Sequence, residues 1–461
     1  MEEFSGGKSK ALQQWVRGYD LLVRCTAGKY TGSTSSLSLL FISARLNLTS
    51  LAERFVSTGS ALTSLVNLPG TKALAGGASS WGMVRQQVVN LPDMKGWRAL
   101  HVAADSEAED VVVWLLENGA AVDAETMGFV RPGRTALHFA ASKSTETAAR
   151  IVRKLLESGA NPGAPTRFGG NTPLHYAVRG GSEDILKTLL QHRSKHKPVD
   201  PNVPNYSGIT ALHKAAGVAG WHKPVDLLLE YGANPEQAAS LDKVAVARGV
   251  KDVKVASTLK AVTSMKTATM WKSATDTFRG VATEHTALHI AIRAKGTEET
   301  IKRLLAWYTA NDKMIESRDS MGYVPLHSAV EGSPTYTRLL LESKKVDVNA
   351  RDNEGRTPLM LYLRRLGQPQ STASIDDLVA LKGTLDDLLA AGATPDTQDN
   401  NGKSVLDYAT QAGQTWAVDK LRSILPPLES PKVASTPASP QGMVGKASNL
   451  MGGKFAMFSK K

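Results

Sequence analysis

A four-residue phrase returns through this sequence at a nearly fixed distance, and that recurrence restricts the chain to a repeat architecture. Its fullest form is Thr172-Pro173-Leu174-His175, with Thr135-Ala136-Leu137-His138, Thr210-Ala211-Leu212-His213 and Thr286-Ala287-Leu288-His289 as close copies. Looser copies stand at Arg98-Ala99-Leu100-His101, Val324-Pro325-Leu326-His327 and Thr357-Pro358-Leu359-Met360. His101, His138, His175 and His213 are separated by 37, 37 and 38 residues. The phrase has the chemistry of a helix start. A Thr hydroxyl can serve an unpaired N–H of the first turn, and Pro in the next position loses no hydrogen bond there. Small Ala residues follow and let a neighbouring helix lie close. A second apolar run then ends in Gly-Ala, as at Leu115-Leu116-Glu117-Asn118-Gly119-Ala120 and Leu155-Leu156-Glu157-Ser158-Gly159-Ala160. Gly suits the left-handed residue that closes a helix. Each unit is predicted to be helix, turn, helix, Gly stop and extended loop.

On these residues the chain resembles the ankyrin repeat family, whose pattern carries Thr-Pro-Leu-His near its front. The resemblance runs over about 95–425 and implies an all-α solenoid of helix-turn-helix units. Spacing above the usual ~33 residues implies loop insertions. Two arrays are expected, 95–262 and 284–425, each closed by a unit in which Asp stands where His stood: Ser240-Leu241-Asp242 and Ser404-Val405-Leu406-Asp407. Polar-faced last units are the normal way to end a stack. His213 and His289 lie 76 residues apart, about twice the repeat length, so a single stack with a decayed central unit is the rival.

The flanks are not read as repeats. Residues 1–94 form an N-terminal helical region with an apolar stripe at Leu37, Phe41, Ala44, Leu48, Leu51, Phe55, Leu62 and Leu65. That stripe is expected to cover the end of the stack, the alternatives being self-association or a membrane surface. Residues 263–283, with Met265, Lys266, Met270, Trp271 and Lys272, are expected to be a basic helical linker between arrays. The unit at 357–399 carries an inserted loop around 367–374. After Pro426-Pro427 the segment 426–461 is expected to be a disordered, Ser/Pro-rich basic tail, with Ser430-Pro431, Thr436-Pro437 and Ser439-Pro440 as modifiable dipeptides.

Composition bears mainly on the setting. One Cys among 461 residues leaves no intramolecular disulfide framework and fits a reducing compartment. No apolar run approaches the ~20 residues that span a bilayer. Met1-Glu2-Glu3 lacks a basic leader, which points to the cytoplasm, with the nucleus as the other setting. The net charge of +12 is shared as +4 each by 1–94, 95–425 and 426–461, so it is densest at the ends. The alternative function is therefore a membrane-associated regulator that touches anionic lipid through 37–65 or the C-terminal tail. Nucleic acid ranks last as a partner because no reading motif is present.

No catalytic centre is expected. Six of the ten histidines fall one per unit, which spreads them along a solenoid, and each reads as a structural residue hydrogen-bonded near its helix start. His192 with His196, and His285 with His289, have four-residue spacing but lack the Glu of a zinc-protease helix. Neither a Gly-x-Ser-x-Gly elbow nor a cofactor motif is found, and Gly6-Gly7-Lys8-Ser9 has no Gly at the position where a phosphate-binding loop begins. No metal or cofactor is expected. The expected function is a non-enzymatic scaffold or adaptor binding a protein partner on the concave face. Its contacts would be the loop-tip residues Met94, Phe129, Phe168, Tyr206 and Met321, with Lys143, Arg179, Arg293 and Glu331 on the helices behind.

Overall fold

The computed structural model describes residues 35–57, 85–93, 95–127, 131–193, 198–239, 284–294, 296–367 and 375–425. The expected cap-like unit at 240–262, the basic linker, the tail, and candidate residues Met94 and Phe129 lie outside the described residues. Apart from a short helical stretch at 85–89, eighteen helices form nine pairs among the described residues, with no strand beyond a single bridge between Gln398 and Ser404. The first pairs are α1 (Ser35–Leu46) with α2 (Thr49–Ser57), α3 (Ala99–Asp105) with α4 (Glu109–Glu117), and α5 (Ala136–Ala141) with α6 (Glu146–Glu157). Next come α7 (Pro173–Gly180) with α8 (Glu183–Gln191), and α9 (Ala211–Ala216) with α10 (His222–Glu230). The rest are α11 (Ala287–Arg293) with α12 (Glu298–Ala310), α13 (Pro325–Gly332) with α14 (Pro334–Glu342), α15 (Pro358–Leu366) with α16 (Ile375–Ala390), and α17 (Val405–Gln411) with α18 (Thr415–Ile424).

Every first helix packs on the next first helix, and second helices pack on second helices from α2 to α16. The first row is short and Ala-rich, so its backbones come close. Gly180, at the end of α7, lies so near α5 that a Cβ there would stand 2.6 Å from the Lys143 carbonyl oxygen. The second row is amphipathic and turns Ile151, Val152, Leu155 and Leu156 inward, all fully or nearly fully buried. Its starts are capped where the sequence offers a hydroxyl: Ala148 N–H donates to Thr145 Oγ1 (3.2 Å) and Ile185 N–H to Ser182 Oγ (3.3 Å). Gly159 (φ 90°) and Gly232 (φ 85°) close their helices in the left-handed region, as the Gly-Ala signal predicts.

Two expectations change. The two arrays run as one stack in the described residues, because α9 packs directly on α11 and α10 on α12. Ala239 and Glu284 exchange backbone contacts at this junction: Ala239 N–H donates to the His285 carbonyl (2.9 Å) and Glu284 N–H to the Ala239 carbonyl (3.1 Å). Residues 239 and 284 are thus neighbours in space, and the apolar core of the described residues continues from Leu40 to Leu421.

The apolar stripe read over 37–65 is divided, within its described part, into α1 and α2. Asn47 breaks it with φ 54°; its Nδ2 donates to Asp110 Oδ2 (2.8 Å) and its Oδ1 accepts from Val111 N–H (3.2 Å) at the start of α4. Leu40, Ala44 and Ala52 are buried on the stack, and the pair sits as one more unit in front of α3 and α4.

Candidate partner-binding face

The repeated histidines hold the stack together. In each Thr-x-Leu-His phrase the His Nδ1 accepts the backbone N–H of the cap residue, at 3.1 Å from Thr135 and 3.2 Å from Thr172 and Thr210. The Thr hydroxyl also donates to Nδ1, at 2.9, 2.9 and 2.7 Å for the same residues. Two donors facing Nδ1 place the ring proton on Nε2. That Nε2–H donates to a carbonyl of the following unit: His138 to Asn171, His175 to Ile209, His213 to His285, His289 to Tyr323 and His327 to Arg356, at 2.9–3.1 Å. The His213–His285 link spans the junction, so the ladder passes from the fourth Thr-x-Leu-His-type unit to the fifth without a gap. Burial holds the rings neutral, with pKa values lowered to about 4 for His101, His138, His213 and His289 and about 3 for His175. Where Met360 replaces the histidine, Thr357 Oγ1 is buried without a partner. Asp407 reproduces only the inner half, accepting from Ser404 N–H (2.8 Å) and Oγ–H (2.7 Å).

These bonds leave the imidazoles no free site for metal. Both nitrogens of His289 are engaged, and His285 meets it only edge-on, with ring centroids 5.7 Å apart. His196 lies outside the described residues. Among the described residues no group of three or more His, Cys, Asp or Glu is placed to hold a metal ion.

The loop tips stack by a turn that the sequence repeats. Asp93, Asn205, Asp319, Asp352 and Asp399 each use Oδ1 to accept the N–H groups two and four residues on. The residue after the turn opener donates its N–H to the preceding tip, as Tyr206 does to the Gly169 carbonyl (3.0 Å) and Asn353 to the Met321 carbonyl (3.1 Å). Tyr206 is thereby turned onto the neighbouring tip and is only partly exposed; a Cβ on Gly170 would come within 1.8 Å of its ring. Met321, two residues after the opener Asp319, and Phe168, two residues after Thr166, whose Oγ1 accepts the Asn171 N–H (3.1 Å), protrude instead with 51% and 71% of their surface exposed. Sequence inspection separates tips from helices but does not tell these two positions apart without counting from the turn opener. Met127, 56% exposed, is a further tip residue that the sequence reading missed.

Behind the tips the charged candidates divide into two settings. In the front units Lys143 pairs with Asp105 (3.1 Å), which Arg131 also approaches (3.9 Å). Arg179 is exposed, with no ion pair or side-chain hydrogen bond among the described residues. Arg134 lies over the Tyr176 ring (4.8 Å) and near Phe139 (5.9 Å), and burial and then the charges of Arg131 and Arg179 push it below the usual arginine range. Lys214 takes the position held by Phe139 and Tyr176 in the two preceding units. Its stem is partly exposed while Nζ reaches inward to Asn171 Oδ1 (2.7 Å). Burial, then Arg179, lowers its pKa to about 8. In the back units Glu331 pairs with Arg364, Arg356 with Asp352 (2.7 Å) and Glu354 (2.7 Å), and Arg365 donates to the Val330 carbonyl (3.0 Å). Arg293 faces His285, with Nη1 3.4 Å from Nε2.

Comparison with known proteins fits this geometry. A family model described as ankyrin repeats (three copies) matches residues 40–164, 137–239, 260–352 and 288–374, together about two thirds of the chain. Neurogenic locus notch homolog protein 4 of Homo sapiens is 44% identical over 105 residues, 23% of this chain and 5% of its own length. Alpha-latrotoxin-Lh1a of Latrodectus hasselti is 37% identical over 108 residues, 23% of this chain and 8% of its own. Rabankyrin-5 of Homo sapiens is 33% identical over 132 residues, 27% of this chain and 11% of its own. The chain thus spans about a tenth or less of the length of these relatives.

Proposed function

Since this chain belongs to the ankyrin repeat family, we propose that it works as a non-enzymatic scaffold or adaptor that binds a partner protein along the tips and first helices of its stack. Ankyrin repeats are generally protein–protein interaction modules, and an unbroken row of units offers a partner one extended surface. The observation that carries the reading is Phe168, a large aromatic side chain held 71% exposed on a tip that is itself fixed by neighbouring backbone. Holding an aromatic in water gives the fold nothing, whereas at an interface it is a typical anchor. The lipid reading draws less support, since Ala44 of the apolar stripe is buried together with Leu40 and Ala52 against the stack, and Phe41, Leu48 and Leu51 of the stripe are half-buried. The cytoplasm, or the nucleus, is the proposed setting.

Quantitative affinity capture of the full chain tests this against Phe168→Ala. Partners that drop several-fold with Phe168→Ala, with the melting curve unchanged, are the expected result. A partner set indifferent to Phe168→Ala and to Met321→Ala together would contradict the assignment of the tips.

A further inference from the structure

Along the front units, cations outnumber the carboxylates that meet them. Arg131, Arg134, Lys143, Arg179 and Lys214 come from three successive units, and among the described residues the carboxylate paired with this set is Asp105 alone. The units are in contact, because α5 packs on α7 and α7 on α9, so these side chains border one strip of surface. Like charges held together without counter-charges cost free energy, and the protein keeps them although an aromatic fits the Lys214 position in two neighbouring units. Arg134 is also pre-set, its guanidinium lying over Tyr176 so that little rotamer freedom remains to be lost on binding.

We propose that this strip, between Asp105 and Lys214, receives an extended acidic segment of a partner protein. Its carboxylates would meet Arg134 and Arg179, with the inward-held charge of Lys214 adding to the field behind them, and an apolar side chain would rest against Phe168. The inference rests on the scaffold reading above and adds the chemistry of the partner. Charge complementarity selects the occupant: carboxylates would supply the counter-charge that the strip lacks, whereas in the back units Arg356 and Arg364 already meet carboxylates of the chain. Guanidinium groups bind carboxylates in bidentate fashion, which suits Arg134 and Arg179.

The test is to pan a phage-displayed random dodecapeptide library on the full-length chain and synthesise the enriched peptides. Peptides with a clear excess of Asp and Glu are expected. Their affinity should fall at least about tenfold with Arg179→Glu and by a smaller factor, about threefold, with Lys214→Met, and should change less than about twofold with Arg364→Glu. Thermal melts of each variant guard against loss of fold, and Arg179, being exposed, should tolerate the change. Neutral peptides that are displaced by Phe168→Ala but not by Arg179→Glu would overturn the acidic occupant while leaving the scaffold reading in place. Absence of any enriched peptide would count against both. If a dodecathymidine oligonucleotide or phosphatidylserine vesicles displaced the peptides and depended on the same side chains, the occupant would be a different polyanion and the proposal would fail.

Discussion

The front and back of the stack are built by the same rules and carry opposite electrostatics. Both have short first helices, second helices that mostly end in a left-handed residue (Gly159 and Gly232 in front, Asp312, Lys344 and Gly392 behind) and tips joined through backbone N–H groups. From 318 to 408 Arg338, Lys345, Arg356 and Arg364 are ion-paired within the chain, and Arg318, Arg351 and Arg365 donate to backbone carbonyls. From 131 to 214 the second helices keep their pairs, as in Arg150 with Glu109, but Arg131 and Lys143 share Asp105 and Arg134, Arg179 and Lys214 act on one another as like charges. The ladder also differs, with His101, His138, His175 and His213 in front and only His289 and His327 behind, followed by Met360 and Asp407. The fold therefore does not require the front charges; they are an addition to a scaffold that stacks without them.

Acid should separate the two halves most strongly. The buried rings have folded pKa values below the unfolded value of 6.5, so no difference exists well above that pH. As pH falls from 6.5 toward about 4, the unfolded chain takes up protons that the folded one refuses, and stability drops. Each histidine contributes up to about 1.4 kcal/mol per pH unit in that window. Hydrogen exchange between pH 7 and 5 should show the front units losing protection at a higher pH than the back ones. Equal loss in both halves would remove the ladder as the cause.

A smaller contrast concerns the tips. Gly170→Val places a Cβ on the Tyr206 ring at a positive φ of 64°, whereas Gly402→Val at φ 77° meets open space. Both strain the backbone, but the first should cost about 2 kcal/mol more in urea unfolding. Comparable losses would mean that Tyr206 is not packed as described.

Lys214→Met should raise stability at pH 7 by about 1 kcal/mol, since it removes a charge held inward beside Arg179. The parent should also gain stability as pH rises from about 8 to 10.5, where the unfolded lysine keeps a proton that the folded one releases, and the variant should lack that gain. Calorimetry across this range checks both statements. Smallest of all, Arg364→Ala should change stability by less than about 1 kcal/mol, as expected for a part-exposed pair, while Arg179→Ala should be neutral or slightly stabilising.

Much of this was legible in the residues. The cap phrase, the Gly stops and the period locate the paired helices from 99 onward, because each is a local signal with a local cause. The N-terminal pair was hidden because its helix start has no Thr-x-Leu-His, yet its tip carries the mark: Asn90, Asp93 and Gly96 repeat the spacing of Asn202, Asn205 and Gly208 and of Asn349, Asp352 and Gly355. Asn90 even acts as its counterparts do, with Nδ2 donating to the Gly119 carbonyl (2.9 Å) as Asn202 Nδ2 does to Gly232 (2.9 Å). The outward reach of His Nε2 was not legible, since its acceptor is a backbone carbonyl in another unit. The same limit hid the contact between Ala239 and Glu284: sequence distance counts the residues between two positions but not whether those positions meet.

That continuity supports the whole account, and a cysteine pair tests it most directly. Asp226 of α10 and Arg303 of α12 face each other across the junction at 3.5 Å, as Glu109 of α4 and Arg150 of α6 do at 2.8 Å within the front units. With the native Cys25 changed to Ser, Asp226→Cys with Arg303→Cys should close with a short bismaleimide as fast as Glu109→Cys with Arg150→Cys. Closure of the reference pair with none at the junction would mean that two separate arrays, not one stack, carry the binding face.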